Sequence, residues 1–208
     1  MRETNFETIL KGRRSVRNYD PTVKISKEEM SELLSEATLA PSSVNMQPWR
    51  FIVAESEEAK AILKPLIRFN TLQNETSAAM ILIFGDMNCY EFAEEIYEQA
   101  VAEGKMPEEV KDKQLEAIIP HYKSFSPEKM NDVIKIDGSL AAMQLMLVAR
   151  AHGYDTNPIG GFEQDQLAEA FGLDASRYIP VMIVSIGKAV EEGYESVRLP
   201  IDKITEWK

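Results

Sequence analysis

The chain has 208 residues, a length for one large domain or two small ones and enough for a substantial core. Acidic residues number 34 against 23 basic ones, a formal charge of −11 that excludes a general nucleic-acid or anionic-membrane coat and makes any anion site local. A hydrophobic content of 44% with 27% charged residues excludes wholesale disorder.

Phe6, Ile9 and Leu10, behind Thr4 or Asn5 as cap, predict a short amphipathic helix ending near Gly12, with a basic segment directly after it. Ser26-Lys27-Glu28-Glu29 is a capping box, and Met30, Leu33, Leu34 and Ala37 form the apolar stripe of a second helix that stops before Pro41. After a polar loop from Pro41 to Pro48, Arg50 to Ala54 predicts a strand and Ser56 to Leu66 a helix with Ala59, Ile62 and Leu63 inward. Ala79 to Phe84 is almost continuously apolar, the pattern of a strand covered on both faces.

Asn88 to Met130 is helical, acidic and less uniformly apolar, divided at Gly104 and Pro107, with Pro120 and Pro127 bounding a third piece; it reads as an excursion from the core. Ile136 to His152 is apolar on nearly every face and predicts the buried central helix, with Gly153 ending it. A strand around Tyr154 to Thr156, a loop from Asn157 to Gly161, a helix from Glu163 to Phe171 and a strand from Val181 to Ile186 complete one α/β domain. Lys188 to Lys208 lacks a strong period yet ends in Ile204 and Trp207, an apolar tail that packs either on a second subunit or on its own domain.

Several chemistries lack support. No three glycines make G-x-G-x-x-G, and neither a P-loop nor G-x-S-x-G occurs. His121 and His152 are the only histidines and Cys89 the only cysteine, so no metal is expected from zinc-finger or H-E-x-x-H spacing. A lone cysteine points to a reducing cytoplasm, and neither a signal-peptide pattern nor an apolar run of spanning length is expected to put the chain in a membrane.

Three segments can carry chemistry. Lys11, Arg13, Arg14 and Arg17 fall in a stretch without an acid; with Ser15 they suit a phosphate monoester, or they complement the end of the first helix and stay solvated. Pro41-Ser42-Ser43-Val44-Asn45-Met46-Gln47-Pro48-Trp49 offers small hydroxyl and amide groups to a ligand, or connects helix to strand with Trp49 as anchor. Asn157-Pro158-Ile159-Gly160-Gly161-Phe162 permits close backbone approach to a flat ligand, or is a common turn; Asn70 and Gln73 add amides whose other role is helix capping.

In this order the motifs R-R-S-V-R-N-Y-D at 13 to 20, A-P-S-S-V-N-M-Q-P-W at 40 to 49, P-I-G-G-F at 158 to 162 and R-L-P at 198 to 200 resemble the FMN-dependent nitroreductase family of NAD(P)H flavin oxidoreductases. The resemblance implies a three-layer α/β (α+β) fold across 1–208, with a central mixed, mostly antiparallel sheet flanked by helices. It also implies a helical excursion at 88–130, a C-terminal extension at 188–208 reaching the partner subunit, and a homodimer with two FMN sites at its interface. Arg13, Arg14, Ser15 and Arg198 then correspond to binders of the FMN phosphate and ribityl chain. Arg17 corresponds to the cation beside the N1 and O2 edge of the ring, and Asn70 to the pyrimidine-edge amide with Gln73 nearby. Pro41, Ser42, Ser43 and Asn45 approach from the other subunit, and Pro158, Ile159, Gly160 and Gly161 pass the ring, the glycine N–H groups lying near N5 and O4. Gln73 stands where some members place a lysine and Ser196 where some have a basic residue.

The implied activity is two-electron, ping-pong hydride transfer from NADH or NADPH through FMN to nitroaromatics, quinones or related small acceptors, with no side chain as acid, base or nucleophile. Tyr122 and Phe125 in the excursion are candidates for lining the acceptor pocket, His121 less so, or they only pack the excursion on the core. The alternatives are an enone or enal reductase, a flavin reductase or a dehydrogenase on the same machinery, a flavin-binding protein without turnover, or a binder of another phosphorylated ligand.

Overall fold

The computed structural model describes residues 2–208. Four strands, β1 (Trp49–Ala54), β2 (Ala79–Asp86), β3 (Asp155–Ile159) and β4 (Tyr178–Gly187), form one sheet in the order β1-β2-β4-β3. Every adjacent pair is antiparallel, so the mixed character expected of the sheet reduces to one isolated parallel bridge, from Ser15 to Thr156 of β3.

Helices follow the local capping chemistry. Asn5 caps α1 (Phe6–Gly12), Ser26 caps α2 (Lys27–Ala37) and Ser56 caps α3 (Glu57–Leu63), each side-chain oxygen accepting a backbone N–H of the first turn. The short α4 (Thr71–Thr76) was not expected, because its polar sequence shows no apolar stripe. The excursion contains α5 (Ala93–Ala102) and α6 (Glu108–Lys123). Pro120 does not divide α6: it lies in the last turns, and the helix closes only where the Ser124 N–H bonds the Pro120 carbonyl.

The long helix α7 (Pro127–Ala151) begins nine residues earlier than the apolar pattern suggests, because Ser126 caps it and Pro127 suits its first turn. Gly153, at φ +84°, follows its C-cap residue His152 as expected. The helix α8 (Gln164–Ala170) completes the set. None of the described helices is long and apolar enough to cross a membrane. The Asn157–Ile159 stretch, read as loop, belongs to β3; Pro158 is tolerated there because β3 is an edge strand.

The alternation along β2 builds the layers. Ile81 and Ile83 pack with Leu145, Met146 and Ala149 of α7 and Leu33 of α2, whereas Met80, Leu82 and Phe84 pack with Leu63 of α3 and Leu167 of α8. All eight β2 positions are buried. Two glycines let α7 sit close to the sheet. A Cβ on Gly85 would lie 2.6 Å from the Ile134 Cβ, and one on Gly138 would lie 3.1 Å from Val181, the residue left over by the register shift between β2 and β4. Gly85→Ala is therefore expected to destabilise the protein by about 1–3 kcal/mol through overpacking, seen as a lower urea midpoint with an unchanged slope.

Candidate functional site

The basic segment after α1 is laid along the sheet by backbone bonds. Val16 N donates to Thr156 O at 3.0 Å, Asp20 N to Lys188 O at 2.8 Å, and the buried Tyr19 hydroxyl donates to Val16 O at 2.6 Å with Ser185 Oγ at 2.8 Å. Burial pushes the Tyr19 phenol well above its ordinary range, so it stays a neutral anchor.

This placement gathers Arg13, Arg14, Ser15 and Arg17 with Ser196 and Arg198 around a cavity of about 270 Å³, which Tyr194 and Glu195 also line. The tail reaches the segment because residue 193 is glycine: a Cβ there would lie 2.5 Å from that of Arg14. Arg14 spends donors on Lys11 O and Arg13 O, and Arg198 on Ser196 Oγ and Val197 O. Arg2, Arg50, Arg68, Arg150 and Arg177 all form ion pairs, whereas Arg13, Arg14, Arg17 and Arg198 form none among the described residues. Four guanidinium groups that form no ion pair among the described residues, with Glu195 the one carboxylate in the same lining, can together take a multiply charged anion.

A second group joins residues far apart in sequence. Asn70 Nδ2 donates to Ile67 O at 3.1 Å and lies 3.4 Å from Gly161 O, while Gln73 Nε2 donates to Asn70 Oδ1 at 3.1 Å. Gln73 is only 2% exposed, so it reaches a ligand through Asn70. Gly160 and Gly161 are exposed, and nothing lies within 4 Å of a Cβ built on Gly160. Ile159 is buried in the core and can offer such a site only its backbone; Pro158 is half-buried.

The third group is the Pro41–Pro48 loop. Val44, Asn45 and Gln47 take φ of 44°, 57° and 45°, a region costly above all for the β-branched Val44. The strain is held from behind. Asp137 of α7 accepts from Ser43 N at 3.1 Å, Tyr97 of α5 donates to Val44 O at 3.0 Å, and Tyr122 of α6 donates to Ser43 O at 3.2 Å. Burial pushes the Asp137 carboxyl upward, against the pull of the Ser43 N–H. Tyr122 is buried and stacks at 5.1 Å on half-buried Phe125, whose other neighbour is His121 at 4.7 Å. Pro41, Ser43 and Asn45 are exposed and Ser42 is half-exposed, yet no loop residue lines the arginine cavity of the same chain.

Asp137, Tyr97 and Gly193 escaped the sequence reading. Asp137 alone left a signal, an acid beside Gly138 at the start of an otherwise apolar helix segment.

The sequence profile of the Nitroreductase family matches residues 10–188. YdgI of Bacillus subtilis (strain 168), named as an NAD(P)H nitroreductase, is 59% identical over 208 residues, covering 100% of both chains. The enone reductase of CLA biosynthesis from Lactiplantibacillus plantarum is 37% identical over 191 residues, 91% of this chain and 88% of that protein. A crystal structure of an Exiguobacterium sibiricum 255-15 protein in complex with FMN superposes with a TM-score of 0.97 at 61% identity, covering 100% of this chain and 99% of the other. On these grounds the chain belongs to the Nitroreductase family.

Proposed function

We propose that the protein is an FMN-dependent oxidoreductase that draws electrons from NADH or NADPH and delivers them to nitroaromatics, quinones or related small acceptors. The observation that carries this reading is the set of four unpaired arginines around one cavity, a fit for the dianionic FMN phosphate. The E. sibiricum relative solved with FMN and the NAD(P)H nitroreductase name of YdgI support it.

When bound, FMN supplies reversible hydride acceptance, and the chain supplies position and charge. Arg13, Arg14, Ser15 and Arg198 would hold the phosphate and ribityl chain. Arg17, exposed and unpaired, would place positive charge at the N1 and O2 edge and favour reduction there. Asn70, oriented by Gln73, would bond the pyrimidine edge beside Gly161, and the bare backbone of Gly160 and Gly161 would let the ring approach closely. Pro41, Ser42, Ser43 and Asn45 would come from a second subunit, since in the same chain they stay outside the cavity lining.

The homodimer this requires is supported by an apolar tail left in solvent, with Val197 94% and Trp207 91% exposed. Donor and acceptor would occupy the same ring face in turn, a ping-pong order that dispenses with a Rossmann site. Tyr122, with Phe125 packed on its ring, would act on the acceptor through the loop that its hydroxyl holds. Cys89, its thiol pushed up to about 12 by burial, stays protonated and fits a reducing cytoplasm. The L. plantarum relative favours one second reading, reduction of an enone on the same machinery.

The purified protein is expected to show a flavin spectrum that bleaches under anaerobic NADH or NADPH and returns on adding a nitroaromatic, quinone or enone. A protein that stays colourless after reconstitution with FMN would overturn the reading. Arg17→Leu should slow flavin reduction roughly tenfold or more with FMN still bound, in stopped-flow traces. Tyr122→Phe, losing one buried hydrogen bond, should cost about 0.5–1.5 kcal/mol in denaturation and weaken FMN binding in fluorescence titration.

A further inference from the structure

Where α2 packs on the end of α7, a histidine faces three carboxylates. Glu29, Glu32 and Glu36 recur along one face of α2. His152, the C-cap residue of α7, points between them with its side chain only 8% exposed. Its Nε2 is enclosed and has no hydrogen-bond partner among the described residues; Glu36 Oε2 is 3.6 Å away, outside bonding reach. On the other side of the ring, Nδ1 faces Glu29 Oε1 at 3.9 Å, and the Tyr154 hydroxyl holds Glu29 by donating to its Oε2 at 2.8 Å. With the ring proton on Nδ1, toward Glu29, Nε2 presents a lone pair to Glu32 and Glu36.

Arg2 supplies positive charge here, its guanidinium on Glu36 and 3.7 Å from Glu32 Oε1. A guanidinium only donates, so it neutralises the carboxylates without satisfying the imidazole lone pair. Ligand atoms of Glu32, Glu36 and His152 lie within 4.8 Å of one another.

We propose that Glu32, Glu36 and His152 bind a divalent transition-metal cation of the zinc class, clamping α2 to the end of α7. One imidazole nitrogen and two carboxylate oxygens are a zinc donor set, and bonds of about 2.0–2.2 Å ask the ligand atoms to close to about 3.4 Å, a movement the exposed Glu32 side chain can supply. Glu29, held by Tyr154, stands on the Nδ1 side of the ring at 3.9 Å and adds negative charge there without bonding the imidazole. The cation displaces the Arg2 guanidinium, and water takes the remaining position. Linear spacing gave no reason to expect metal, because the fold alone brings residue 152 to residues 32 and 36.

The test is calorimetric titration of zinc chloride into the tag-free full chain, with melting temperature followed in parallel. One Zn²⁺ per chain at micromolar affinity is expected, with a melting temperature that rises with zinc concentration. Glu32→Gln and His152→Gln should each weaken binding at least about tenfold, and Arg2→Ala should tighten it by removing the competitor. Glu32 is exposed, so its variant folds normally and decides the matter even where His152→Gln fails to fold. No zinc binding up to millimolar concentration, wild-type affinity in Glu32→Gln, or equal affinity for Mg²⁺ would overturn the proposal.

Discussion

The fold depends on β2 being buried along its whole length, because that strand carries both apolar layers and ends in a fully buried charge. Asp86, the last residue of β2, is fully buried and takes two bonds from Arg177, at 2.8 and 3.0 Å, and one from Arg50 at 3.2 Å. Its backbone N–H donates to Pro48 O, so the same residue fixes the end of the strained loop. A buried carboxylate is tolerable only when paired this fully; removing one partner from such a site typically costs about 3–5 kcal/mol. The Asp86 carboxyl lets Arg177 keep its proton still more firmly than an ordinary arginine. The ion cluster thus joins β1, β2 and the residue preceding β4 at the end of the sheet from which the Pro41–Pro48 loop hangs.

Charge elsewhere is organised by contrast. Most of the acidic excess is spread over exposed helices, and five arginines are spent on carboxylates. The four that remain unpaired would repel one another strongly were they not partly exposed, and holding them together costs stability without an anion between them. The backbone bridge from Ser15 to Thr156 and the Gly193 contact supply that restraint. An anion bound there relieves the repulsion, so ligand binding and folding of this end of the chain are thermodynamically linked.

Charge and apolar pattern made much of this legible in the sequence. The basic cluster, the buried strand, the capping serine at 26 and the Gly153 stop all stand in the structure where the pattern puts them, and Ser56, read as a helix start, is that helix's cap. What the pattern hid was whatever depends on tertiary context. Pro158 looked like a loop residue because an edge position in the sheet cannot be seen from its neighbours in sequence. Pro127, read as a boundary of the excursion, is a helix start capped by Ser126, and α4 shows no stripe because its buried residues are the amides Gln73 and Asn74. The arginine positions could be read directly, but that Arg13, Arg14 and Arg17 share a cavity with Arg198 could not be derived from spacing.

The proposed site thus draws on two kinds of residue that respond differently to change. Guanidinium groups act through charge, which tolerates small displacement. The Pro41–Pro48 loop acts through shape, and shape in a strained backbone persists only while its supports hold. Those supports, Tyr97 and Tyr122, come from the helical excursion, and Asp137 from α7 immediately after it. Substitutions in the excursion can therefore reshape the loop while leaving the arginine cavity intact, because the two share no lining residue in the chain. Within this architecture the placement of the arginines and the shape of the loop are mechanically separate, and α5 and α6 can vary to reshape the loop without moving the arginines.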